Sequence, residues 1–148
     1  MNRAAHTTLT LVIVWTTLAV VLCGCAAKGP VYVDQGTSYD KKSALKILAQ
    51  ADSSAVMAEP ASRGSKLRHG ALASLRGKGA PASRVADLLT RTFPSDTSGV
   101  PVYVERASYD DKPAVVVVEA TGPDSGTLSG KRLWILDEQG DVLFAGSR

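Results

Sequence analysis

Residues 100–120 read VPVYVERASYDDKPAVVVVEA, and this stretch decides the fold class. Val100, Val102 and Val104 occupy every second position. This period of two is typical of a strand with one apolar face. The polar run DDKP at 110–113 interrupts the apolar positions, and aspartate and proline favour turns. The sequence therefore predicts a hairpin of two antiparallel strands. The predicted strands are residues 100–107 and 114–120.

Two further strands are predicted downstream, at residues 132–137 and 142–146. A tight turn EQGD at 138–141 separates them, and a longer loop at 122–130 precedes them. Short links favour antiparallel neighbours, so the four strands are expected to form a meander.

Upstream of residue 99 the apolar residues follow a helical period instead. In the clearest case Val85, Leu88, Leu89 and Phe93 lie on one face, and Ser83 is a candidate N-cap. The predicted helices are residues 40–58, with Asp40 as N-cap, 65–76 and 83–93. Helices followed by strands predict an α+β domain over residues 40–148, with N-terminal helices packed on a C-terminal four-stranded antiparallel meander sheet.

Two of the strands are apolar on both faces, VVVV at 115–118 and LWIL at 133–136. Strands of a sheet with one solvent-exposed face would alternate apolar and polar residues. We therefore expect a second layer to cover the other face of this sheet. Either the 40–58 helix packs there, or a protein partner or second copy does. The candidate interaction surface is Val116, Val118, Trp134 and Leu136.

The N-terminus has the layout of a secretory signal peptide. Arg3 supplies positive charge, and residues 9–22 form a 14-residue apolar run that only threonines interrupt. This run suits a signal-peptide core and is shorter than the roughly 20 residues of a membrane-spanning helix.

The sequence Leu22-Cys23-Gly24-Cys25-Ala26 follows directly and resembles the bacterial lipobox. The resemblance implies that Cys25 carries a diacylglyceryl thioether, that residues 1–24 are removed as a lipoprotein signal peptide, and that the protein is extracytoplasmic and membrane-anchored. The resemblance implies that the lipid anchor lies in the outer leaflet of the cytoplasmic membrane, or in the outer membrane of a two-membrane bacterium. Cys23 occupies the position two residues before the acceptor cysteine, where alanine, serine or threonine is commoner in the lipobox. An uncleaved N-terminal signal anchor and a cleaved, released protein are the alternatives.

Residues 25–39 lack a sustained period and contain Gly29, Pro30 and Gly36, so we expect a flexible tether. The chain carries a net charge of +3, and removal of residues 1–24 lowers it to +2 because only Arg3 is lost. The basic residues cluster near the predicted second helix. Candidate contacts with anionic lipid are Arg63, Lys66, Arg68 and Lys78, and a solvated helix face is the alternative. The exported location and the lack of a recognition module argue against nucleic acid.

Catalytic and metal-binding motifs are weak. His69 is the one histidine beyond the signal segment, no free cysteine would remain, and no metal-ligand spacing is present, so we expect no catalytic residues, metal or cofactor. We therefore expect a binding domain, with a small extracytoplasmic enzyme as the alternative. The layout of a helix and a meander also resembles small extracytoplasmic PepSY-type modules, proposed as peptidase-inhibiting, although no specific motif carries that likeness.

Overall fold

A computed structural model describes residues 29–94 and 99–148 of the chain. These residues form three α-helices, one short 3-10 turn at Ala61–Arg63 and five strands. In chain order the elements are β1 (Val31–Tyr39), α1 (Lys41–Gln50), α2 (Gly64–Arg76), α3 (Ala80–Thr92), β2 (Val100–Tyr109), β3 (Lys112–Thr121), β4 (Gly130–Leu136) and β5 (Val142–Ser147).

The strands form one sheet in the order β1-β2-β3-β4-β5. Strands β2 to β5 are antiparallel neighbours, which confirms the predicted meander, whereas β1 pairs with β2 in parallel. The α+β class is therefore correct. The prediction of four antiparallel strands that follow all the helices is wrong, because the sheet is five-stranded and mixed and a strand precedes the first helix.

The additional strand lies in the segment predicted to be a tether. Most of β1 is exposed, and Tyr39 at its end is its buried residue. The strand also shifts register between Asp34 and Ser38, around Gly36 with its positive φ of 65°. An exposed edge strand with a bulge shows neither clean alternation nor an apolar run, which is why the sequence pattern did not reveal it.

Helix α1 begins as predicted and ends earlier. The Asp40 carboxylate accepts a hydrogen bond of 2.7 Å from the Ser43 amide, the N-cap that the sequence predicted. Lys131 in β4 donates from Nζ to the carbonyls of Ala49 (3.1 Å) and Ala51 (2.9 Å), which satisfies the C-terminal end of the helix. The remainder of the predicted helix, up to residue 58, is a loop instead.

The second and third predicted helices, at residues 65–76 and 83–93, are confirmed as α2 and α3. Helix α3 starts at Ala80, so Pro81 lies in its first turn rather than outside it, where its missing amide proton costs no helical hydrogen bond. Ser83 is therefore inside the helix and is not the N-cap. In the β2–β3 hairpin, Asp110 and Asp111 both have positive φ (47° and 63°), the conformation of a tight two-residue turn.

Helical layers cover both faces of the sheet. On one face α1 and the loop after it pack on β3 and β4, and the shared core includes Leu48, Val56, Val116 and Ile135. On the other face α2 and α3 pack on the opposite side chains of the same strands. This arrangement explains why β3 and β4 are apolar on both faces, and it confirms that the segment after Asp40 supplies one covering layer.

Candidate functional site

The sheet residues predicted as an interaction surface do not share a face. Val116 and Val118 lie in the core under α1, whereas Leu136 and the half-buried Trp134 lie in the core under α2 and α3. Val116, Val118 and Leu136 are each 0% exposed. These four residues therefore offer no common exposed surface to a partner.

A cleft of about 450 Å³ opens between the start of β1, the loop after α1, helix α2 and the start of β2. Its buried apolar lining includes Val56, Val100 and Val102, and the half-buried Leu67 from α2 contributes to the same wall. Val31 at its edge is 53% exposed. The cleft volume falls in the usual range for small-molecule sites, and an apolar lining is typical of them.

Charged side chains line the cleft together with these apolar residues. Arg63 and Lys66 contribute positive charge, and Asp52 contributes negative charge. Arg63 pairs with Glu59 at 2.5 Å, but its side chain stays 52% exposed, so this surface pair holds it only weakly. The Asp52 carboxylate accepts a hydrogen bond of 2.9 Å from the Ser54 amide. The cleft therefore combines an apolar wall with cations that suit an anionic group.

The beginning of the described chain forms part of this cleft. Gly29 and Pro30 line it, and Gly29 lies so close to α2 that a Cβ there would collide with the Ser74 side chain. Lys66, Gly70 and Ser74 follow one another at intervals of four along α2 and so share one face of the helix. The exposed Lys78 comes four residues after Ser74.

Arg68 differs from the other three residues of the predicted lipid contact. It is 5% exposed and points from α2 into the interior, where it donates to the Glu119 carboxylate at 2.6 Å and to the Gly99 carbonyl at 2.7 Å. Its charge is therefore neutralised inside the fold, and the prediction that Arg68 contacts lipid is wrong. Arg63, Lys66 and Lys78 are exposed.

Glu119 is the centre of this buried polar cluster. Glu119 and Arg132 face each other across β3 and β4 with a contact of 2.8 Å. Trp134 also donates to Glu119, from Nε1 at 2.9 Å. Glu119 is 0% exposed and binds Arg68 as well, so the cluster is buried inside the fold.

A second buried carboxylate lies on the α1 side of the sheet. Glu105, which is 1% exposed, accepts hydrogen bonds from the hydroxyls of Tyr39 (2.6 Å) and Tyr103 (2.7 Å). Burial, together with the hydrogen bond to Glu105, raises the pKa of Tyr39 to about 12, and the same causes raise the pKa of Tyr103. The cluster joins the end of β1 to β2 and so contributes to stability.

A shallower depression of about 360 Å³ lies beside α3 and holds Arg84, Arg91 and Arg106. Asp87 and Glu138 line it too, and Arg106 pairs with Asp34 at 3.1 Å. Its charges are therefore mixed, and its lining is less apolar than that of the cleft beside α2.

The remaining candidates for chemistry find little support in the geometry. His69 is exposed on α2. Within residues 29–94 and 99–148 there is no group of three or more histidine, cysteine, aspartate or glutamate side chains that could hold a metal ion. In the same residues no helix is long and apolar enough to cross a membrane. The signal segment and Cys25 lie outside the described residues.

Comparisons of the chain with protein-family models, with curated proteins and with solved structures find no significant match.

Proposed function

We propose that the chain is an extracytoplasmic lipoprotein, held on its membrane through Cys25, whose domain acts by binding rather than by catalysis. The observation that carries the proposal is the sequence LCGC at 22–25, directly behind a 14-residue apolar run and a basic start. Two or more acyl chains hold a protein stably on a bilayer, whereas one chain holds it only marginally.

The fold supports a short connection between anchor and domain. Because β1 begins at Val31, the tether is much shorter than the expected segment 25–39. Four residue steps separate Cys25 from Gly29, and they span at most about 14 Å. A lipid on Cys25 would therefore hold the cleft beside α2 close to the headgroups of the bilayer.

The charges near Gly29 suit this position. Lys66 and Arg63 line the cleft that Gly29 also lines, and Lys78 follows Ser74, the residue against which Gly29 packs. Each basic residue near an anionic surface contributes about 1 kcal/mol to membrane attraction within a Debye length. These three residues would add to the anchor, while Arg68 remains in the interior.

Labelling with an alkyne-bearing fatty acid in a bacterial host tests the anchor. We expect label on the wild-type chain and on Cys23→Ser, and no label on Cys25→Ser, because the thiol of Cys25 is the acceptor. Cys23→Ser is the matched control, since it also removes one thiol from the same segment. Equal labelling of Cys25→Ser and the wild type, or no label on either, contradicts the proposal.

A further inference from the structure

Gly70 stands in the interior of helix α2 without a packing reason. A Cβ added there would meet no atom within 4 Å beyond the nearby backbone of its own helix, and the backbone is helical rather than left-handed. Glycine weakens a helix interior relative to alanine, and it leaves the space beside the helix empty. Gly70 lines the cleft, so a large side chain at this position would project into it.

The cleft has two chemical zones. Val56, Val100 and Val102 offer buried apolar surface, which suits a hydrocarbon chain rather than a polar ligand. Lys66 and Arg63 offer cationic groups that suit a phosphate. A ligand that matches both zones is amphiphilic, with an apolar tail and a phosphate.

We propose that the cleft takes up one acyl chain of a bilayer phospholipid, with the phosphate at Lys66 and Arg63. The proposal rests on the lipid anchor at Cys25, because that anchor would hold Gly29, at the edge of the cleft, within about 14 Å of Cys25 and so near the headgroups, where phospholipid is the most abundant amphiphile. The chemistry that anionic and zwitterionic phospholipids share is the phosphate with its acyl chain.

Photo-crosslinking in vesicles tests this proposal with the full mature chain. The protein is reconstituted into phosphatidylcholine vesicles that contain one of three probes with the same diazirine-bearing acyl chain. The probes are phosphatidylglycerol, phosphatidylethanolamine and diacylglycerol. Mass spectrometry of proteolytic fragments then locates the label.

We expect both phospholipid probes to label the fragments that contain Val56 and Val100, and diacylglycerol to label them far less. Gly70→Trp should lower this label about tenfold, because the indole fills the cleft, whereas Gly70→Ala should leave it nearly unchanged. Circular dichroism confirms that both variants are folded. Lys66→Gln should lower the phospholipid label and leave the weak diacylglycerol label as it is.

Equal label in Gly70→Trp and Gly70→Ala overturns the proposal. So does a wild-type cleft without label, the result expected if the protein's own acyl chains, its residues 25–28 or a second copy occupy the site. The mass of the same samples separates the two proposals. Label in the cleft of a chain without lipid on Cys25 would refute the anchor alone, and a lipidated chain with an unlabelled cleft would refute the cleft alone.

Discussion

Replacement of Glu119 by glutamine is expected to destabilise the fold strongly. The carboxylate is 0% exposed and lies 2.6 Å from Arg68 and 2.8 Å from Arg132. Glutamine keeps the size of the side chain and removes its charge, so the guanidinium of Arg68, whose side chain is 6% exposed, is left buried without a counter-ion. Removal of one partner of a buried ion pair typically costs about 3–5 kcal/mol of unfolding free energy.

Urea unfolding followed by the fluorescence of Trp134 measures this cost. Trp134 donates to Glu119 and packs against Phe93 with tilted rings whose centroids are 4.9 Å apart, so its emission reports on the same core. At roughly 2 kcal/mol per molar of urea, a loss of about 4 kcal/mol lowers the midpoint by about 2 M.

The matched control is Asp87→Asn, which breaks an ion pair of 3.1 Å with Arg76 between side chains that are 59% and 40% exposed. An exposed pair contributes at most about 1 kcal/mol, so the midpoint should fall by no more than about 0.5 M. If Glu119→Gln shifts the midpoint no further than Asp87→Asn does, the buried cluster does not stabilise the fold as argued.

Three further predictions concern stability. Folding raises the pKa of Tyr39 from its ordinary value of 10 to about 12. The protonated hydroxyl therefore stabilises the fold fully below pH 10, and this contribution is lost as the pH rises through 12. Tyr39→Phe should therefore reduce the loss of stability between pH 10 and 12 in urea titrations, and an unchanged pH dependence would contradict this. Gly140→Ala should destabilise by about 1 kcal/mol or more, since Gly140 has a φ of 99° and a Cβ there would collide with Thr92 Oγ1. Gly70→Ala should stabilise by up to about 1 kcal/mol, and equal effects of the two alanines in thermal melts would contradict both expectations.

The elements that the sequence predicted well are those whose buried apolar residues follow a recognisable spacing along the chain. Strands β2 to β4 and helices α2 and α3 each bury apolar side chains, either at every second position, in a continuous run or at helical spacing, and these patterns reveal them. Strand β1 is held by backbone pairing to β2 at the edge of the sheet, and this pairing leaves little trace in its side chains. Helix α1 ends where Lys131, eighty residues away, binds its carbonyls.

The candidate site was predictable in part. The basic residues of α2 form a visible cluster in the sequence. Their positions around the helix axis decide which of them are exposed and which are buried. Arg68 precedes Leu72 by four residues and Leu75 by seven, so it shares their buried face, whereas Lys66 does not. A glutamate that ends an apolar run, as Glu119 does after Val118, was the signal for the buried cluster. The cleft itself depends on how β1 meets α2, which no local pattern reveals.

The intact mass of membrane-extracted protein tests the central claim most directly. For the wild type we expect the mass of residues 25–148 plus a diacylglyceryl group. For Cys25→Ser we expect the unmodified chain with residues 1–24 still attached. A wild-type mass that shows residues 1–24 retained and no lipid on Cys25 would contradict the account.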